Sequence, residues 1–249
     1  MIIRGALLIV IMIACLFTTG YASTDKQNTT KRDSTGLLDN AEALMKERRF
    51  TEAKASLETL LSGMPPAWKA IAVNGDSIRV AYWDEEHFSV CFIKDSRNNI
   101  DKVIDWVLPS YSKAYYLLAY MSAGSRNLVE ADKYIDKALA LEPEHPTLLD
   151  EKGMLLQLMG DHENAVKHFN MVIHSNGCVT PYEKARALRG LGISLIDLGR
   201  IDEAEQAFQE SLKIAPNNKV ALAELDYIKK IRSGIKPTAP IGISSGRSQ

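Results

Sequence analysis

Residues 185–218 read ARALRGLGISLIDLGRIDEAEQAFQESLKIAPNN, and the spacing of their apolar and small residues decides the fold. Leu188, Leu191, Leu195 and Leu198 recur at steps of three and four, which makes one apolar stripe on a helix. Gly199-Arg200 marks a turn, Ala204, Phe208 and Leu212 carry the stripe onto a second helix, and Pro216 blocks further helix. Small residues at Gly192 and Ala204 let the two helices cross closely, while Leu191 and Phe208 fill the space around the crossing.

The same pattern occurs upstream. With Ala131, Ala165 and Ala204 aligned, Ile135, Phe169 and Phe208 follow four residues later, and Ala119, Gly153 and Gly192 precede by twelve. Gly160 and Gly199 stand five before the alanine in the last two units, and Pro143 and Pro216 stand twelve after it in the first and last. The pattern resembles the tetratricopeptide repeats (TPRs), a family whose 34-residue unit has small residues at positions eight and twenty, an aromatic at twenty-four and proline at thirty-two. On that numbering repeats span 112–145, 146–184 (with five extra residues near Gly177 to Pro181) and 185–218, and a divergent copy spans 34–67 with Ala41, Phe50, Ala53, Leu57 and Pro65. Ser122 and Gly177 depart from the pattern in the first two full repeats. The expected fold class is all-α, a TPR-like solenoid of helical hairpins. Residues 219–232, with Val220, Leu222, Leu225, Ile228 and Ile231, read as the helix that covers the last apolar face, and 233–249 as a disordered tail.

Residues 68–111 break the period and hold all three tryptophans, Trp68, Trp83 and Trp106, with Tyr82, Phe88, Phe92 and Tyr111. Ile78, Val80 and Tyr82 alternate with Arg79 and Ala81, a strand signal after the turn candidate Asn74-Gly75, so the insertion is expected to be mixed and to contain β-structure. Asp84 either caps a short helix or opens a turn into a strand over Phe88 to Ile93, the helix being preferred, and Asn99 to Leu108 is expected to be helical up to Pro109. The aromatics either pack this segment against the neighbouring repeat, the preferred reading, or form an exposed platform.

The chain opens with Arg4, the apolar run Ala6 to Phe17 and small residues through Ala22, the order of a secretory signal peptide over residues 1–22, with 23–33 a polar linker. The expected location is periplasmic or secreted, with an uncleaved anchor, or a lipid on Cys15 after Ala14, as alternatives; membrane contact is expected only if that segment is retained. Loss of Cys15 with the signal leaves Cys91 and Cys178, read preferentially as buried thiols and alternatively as a disulfide. Neither has a CxxC partner, so no metal is expected. Lys and Arg (30) balance Asp and Glu (31) in the 249 residues, with 46% hydrophobic residues, 15 Gly and 9 Pro, which argues against a disordered or collagenous chain and gives no field to recruit nucleic acid.

Signals of chemistry are sparse. His162, His168 and His174 stand six apart, ~600° on a helix, so they share no ligand face, and all five histidines are read as surface residues. Asp84-Glu85-Glu86-His87 reads as a capping turn, and Gly190 and Gly192 lack the third glycine and the preceding strand of a dinucleotide loop. No cofactor and no catalytic residue is expected. By the resemblance, positions two, five, nine and twelve of each first helix face a concave groove for a peptide or partner helix; these include Tyr116, Tyr120, Met154, Arg186 and Arg189, the expected partner-binding residues. Their aromatic and guanidinium groups suit a peptide with an acidic group. Tyr116 and Tyr120 replace two residues of the family's clamp for chaperone tails, so that ligand is not expected. The alternative is an enzyme or accessory subunit with its site in residues 68–111.

Overall fold

Helix pairs follow one another along the chain, interrupted once by a small sheet, in a computed structural model that describes residues 25–83, 87, 89, 91, 102–106, 110–175 and 177–234. The elements are α1 (Asp25–Lys46), α2 (Phe50–Ser62), β1 (Ile71–Asn74), β2 (Ser77–Val80), β3 (Val103–Trp106), α3 (Tyr111–Gly124), α4 (Leu128–Leu141), α5 (Pro146–Leu158), α6 (His162–Ile173), α7 (Pro181–Asp197), α8 (Ile201–Ile214) and α9 (Lys219–Arg232). The helices pair as α1–α2, α3–α4, α5–α6 and α7–α8, successive pairs pack on one another, and α9 covers α8. This is the all-α helical-hairpin solenoid expected from the repeats, with a small mixed insertion.

Local chemistry sets the helix ends. Asn127, Asp161 and Asn218 accept from backbone N–H groups three residues on, and Thr180 with Glu183 forms a reciprocal capping box ahead of Pro181. Each hairpin turns through one left-handed residue: Arg48, Arg126, Gly160 and Gly199, with φ between 63° and 83°. Glycine takes that conformation without the Cβ clash that the two arginines bear.

Side-chain volume is matched across each crossing. A Cβ on Gly153 would lie 2.7 Å from the Phe169 ring, one on Gly190 2.5 Å from the same ring, and one on Gly192 2.6 Å from Phe208. Phe169 and Phe208 are fully buried, so neither ring has room to retreat. In the first full repeat Ile135 packs with Ala119 instead, a narrower side chain against a wider one.

In the insertion β1 and β2 form an antiparallel hairpin through Gly75, whose φ is 54°, and β3 joins β2 in parallel with Ile78 opposite Ile104. The helix expected over 99–108 is therefore a strand at 103–106: β-branched Val103 and Ile104 pair with the open edge of β2, whose hydrogen bonds outweigh the local helical reading. The backbone is helical at His87, Ser89 and Cys91, as the preferred reading of that stretch requires, while the Asp84 cap, Phe88 and Phe92 lie outside the described residues. Two further corrections follow. Helix α1 starts at Asp25, inside the stretch expected to be linker. Cys91 and Cys178 form a disulfide, Cα atoms 5.3 Å apart, because the fold lays the insertion against the loop after α6, a proximity that sequence spacing does not encode. The expected signal segment and the tail beyond Gly234 lie outside the described residues.

Trp83 settles the question of the aromatics at its own position: it is 7% exposed, packs with Ala131, Ile135 and Leu148, and its indole N–H donates to Ser112 Oγ at 3.1 Å. Trp68 packs edge-on against Tyr111, ring centres 5.2 Å apart.

Two substitutions test this packing by urea unfolding. Gly190→Ala forces a methyl into the buried Phe169 ring and should lower stability by about 1–3 kcal/mol, although alanine is the better helix former. Arg126→Gly relieves a left-handed arginine and should raise stability by about 0.5–1 kcal/mol.

Candidate functional site

The first helices α3, α5 and α7 carry the residues expected to line the groove. Tyr116 is half-buried, its ring centre 5.0 Å from that of Trp83. Burial, then the nearby Glu151 carboxylate, pushes its phenol up to about 12, so it stays a neutral hydroxyl. Tyr120, one turn along, is 58% exposed. Across the helix boundary, Arg186 on α7 reaches α5: its Nε lies 2.8 Å from Asp150 Oδ2, its Nη2 pairs with Glu151, and the same nitrogen is 3.2 Å from Met154 Sδ. Tyr116, Met154 and Arg186 thus come together around Asp150 and Glu151. Arg189 turns away, donating to the Ala185 carbonyl at 3.0 Å and to Ser211 Oγ on α8 at 3.2 Å.

Asp150 and Glu151, which the sequence analysis did not single out, complete this cluster. The signal was available: an acidic position five stands opposite a basic position two of the next repeat. Paired with Glu151 and held against Asp150, Arg186 does not offer the free cation that an acidic ligand would need. Other groove polar groups are also tied across the boundary: Gln157 donates to Gly190 O and Ser194 Oγ, both at 2.7 Å, and Thr147 donates to Glu183 at 3.1 Å. Tyr120 on α3 and Tyr182 on α7 stay exposed, at 58% and 68%.

A second region lies between the insertion and the start of α5, a cavity of about 660 Å³ lined by Tyr82, His87, the Cys91–Cys178 bridge, Glu142 and His145 among others. Contrary to the surface reading of the histidines, His145 is only 6% exposed. Its ring stacks on Trp83 with centres 4.0 Å apart, stands 4.9 Å from that of His87, and neither of its nitrogens has a hydrogen-bond partner among the described residues. Burial, reinforced by His87, holds it well below the usual imidazole range, so it is neutral. Glu142 is partly exposed as a residue, yet its carboxylate is enclosed by the Ser110 and Ser112 hydroxyls and the Trp83 N–H, and burial raises it to about 7. His162 and His168 are half-buried and His174 exposed, and the three do not converge.

Residues 112–145 and 185–218 each match a family model described as tetratricopeptide repeat, and these segments are tetratricopeptide repeats. Among solved structures, the chain is similar to a tetratricopeptide repeat protein from Parabacteroides merdae, with 17% identity over 82% of this chain and 61% of that one and a TM-score of 0.57. It is also similar to pilF of Pseudomonas aeruginosa, with 17% identity over 81% and 70% of the two chains and a TM-score of 0.56. At such identities the likeness is one of fold. No curated protein matches the chain. A TPR array is the fold of a protein-interaction scaffold.

Asp150 gives the groove a pH signature. It is 2% exposed, and burial raises its carboxyl from 3.8 to about 7 against the pull of Arg186. The native state therefore keeps a proton that the unfolded chain releases, and Asp150's contribution to stability falls as pH rises from about 4 to about 7. Comparing urea midpoints at pH 4.5 and pH 8, Asp150→Asn should gain about 2–4 kcal/mol on the parent protein over that interval; an equal response of both proteins would place Asp150 in an ordinary solvated state.

Proposed function

We propose that this chain is an exported TPR scaffold that holds a protein or peptide partner in its concave groove and catalyses no reaction. The observation that carries the reading is Tyr120, more than half exposed on α3 beside Tyr116, an aromatic surface not buried in the chain's own core. Large aromatic side chains contribute contact area at little entropic cost and dominate many interfaces. Since Arg186 is neutralised in place, the partner segment is read by aromatic and apolar contact rather than by an acidic anchor. Export is supported by the signal-like order of residues 1–22 and by the Cys91–Cys178 disulfide, which persists in oxidising compartments. A second reading, an enzyme or accessory subunit acting at the insertion, is supported by the cavity beside it, where His145 and Glu142 converge.

The test is capture of partners from the native envelope by the purified protein and by its Tyr120→Ala variant, followed by titration of the captured partner. The exposed position predicts an unchanged melting temperature and an affinity at least ~10-fold weaker. Equal capture and equal affinity would remove the groove from the interaction.

A further inference from the structure

The cavity beside the insertion brings together a donor set that neither the groove nor the scaffold reading uses. His87 and Cys91 stand four residues apart, both with helical backbone, so their side chains share a face. Cys178 arrives from the loop after α6, and the ligand atoms of His87, Cys91 and Cys178 all lie within 4.8 Å of one another. A tetrahedral ion with bonds of about 2.0–2.3 Å spans edges of roughly 3.5–3.8 Å, so modest side-chain rotation closes the three donors around one centre. A fourth donor is adjacent. The His145 ring is 4.9 Å from that of His87, buried, with both nitrogens lacking a hydrogen-bond partner among the described residues. A buried imidazole without a partner is costly, and a metal bond or a hydrogen bond to a ligand relieves the cost.

We propose that, when the Cys91–Cys178 disulfide is reduced, the two cysteines with His87 and His145 form a Cys2His2 site for a thiophilic divalent ion of the zinc type. The chemistry balances. A phosphine reductant and water convert the disulfide to two thiols and a phosphine oxide. On binding, the two thiols release two protons to solvent and the ion gains two thiolate and two imidazole bonds, leaving a neutral complex. The pair thus has two exclusive states, a disulfide and a metal dithiolate, each fastening the insertion to the loop after α6. A site of three or four such ligands is soft enough to exclude Mg2+ and Ca2+.

The experiment uses the full chain with Cys15→Ser, which removes the third thiol. After reduction with a phosphine under argon, the protein is titrated with Co2+ as a spectroscopic substitute for zinc. The expected result is sulfur-to-cobalt charge transfer and intense tetrahedral d–d bands saturating at one ion per chain, displaced by Zn2+ and absent from the oxidised protein. His87→Ala and His145→Ala should each weaken Co2+ binding by at least ~10-fold. The proposal is overturned if the reduced chain gives no charge-transfer band, if the band survives unchanged in urea, or if both histidine variants bind as the parent does. Cys91→Ser/Cys178→Ser should bind nothing, and binding by that variant would equally overturn the assignment.

Discussion

One aromatic ring fixes three helices. Phe169 of α6 lies against Gly153 of its own repeat and Gly190 of the next, so a single side chain sets both the crossing within a hairpin and the stacking between hairpins. The constraint is volume: the ring fills the space a Cβ would occupy on either side, and the helices approach as closely as that ring allows. Phe208 and Gly192 repeat the arrangement within the last hairpin. In the first full repeat, alanine replaces the glycine and isoleucine replaces the ring, so the total volume at the crossing is roughly conserved while its distribution changes. Because each hairpin rests on its neighbours in this way, the position of the groove helices follows from the packing behind them.

The groove face is accordingly less open than a row of polar side chains suggests. Arg186 spans from α7 to Asp150 and Glu151 on α5, Gln157 spans the reverse way to α7, and Arg189 is drawn to α8. Apart from Asp150, whose oxygens accept no hydrogen bond among the described residues, these contacts satisfy groups that would otherwise need water or a ligand, and they tie neighbouring first helices together. Tyr120, near the C-terminal end of α3, stays more than half exposed beside them. A partner that displaced Arg186 from its carboxylates would have to replace two charge-assisted contacts, which disfavours acidic segments and leaves apolar ones unopposed.

Repeat architecture was legible in the sequence because it rests on periodicities that a single helix pair already enforces: Gly192, Ala204, Phe208 and Pro216 each have a local steric role. The insertion was legible only in part. Ile78 and Val80 announced β2 by alternation, but β3 is a strand because β2 offers it an edge, information held in residues some twenty-five positions away. The disulfide and the burial of His145 share that character, since both follow from how the insertion lies on the loop after α6 and the start of α5. The four-residue step from His87 to Cys91 is present in the sequence, but only the fold brings Cys178 beside it. At the groove, position along each first helix located Tyr116, Met154 and Arg186 and set an acidic residue opposite Arg186, while the reach of that guanidinium to both Asp150 and Glu151 follows from the angle between successive hairpins.

The Cys91–Cys178 bridge closes a loop of 87 residues that contains β3 and the helices α3 to α6. Pulled from its two ends, the chain transmits force through the covalent bond, and the enclosed hairpins carry none of it. About 300 Å of contour, 87 steps of about 3.5 Å, is thereby withheld from extension for as long as the bond stands. Cutting the bond, with no ion in its place, returns that length to the chain.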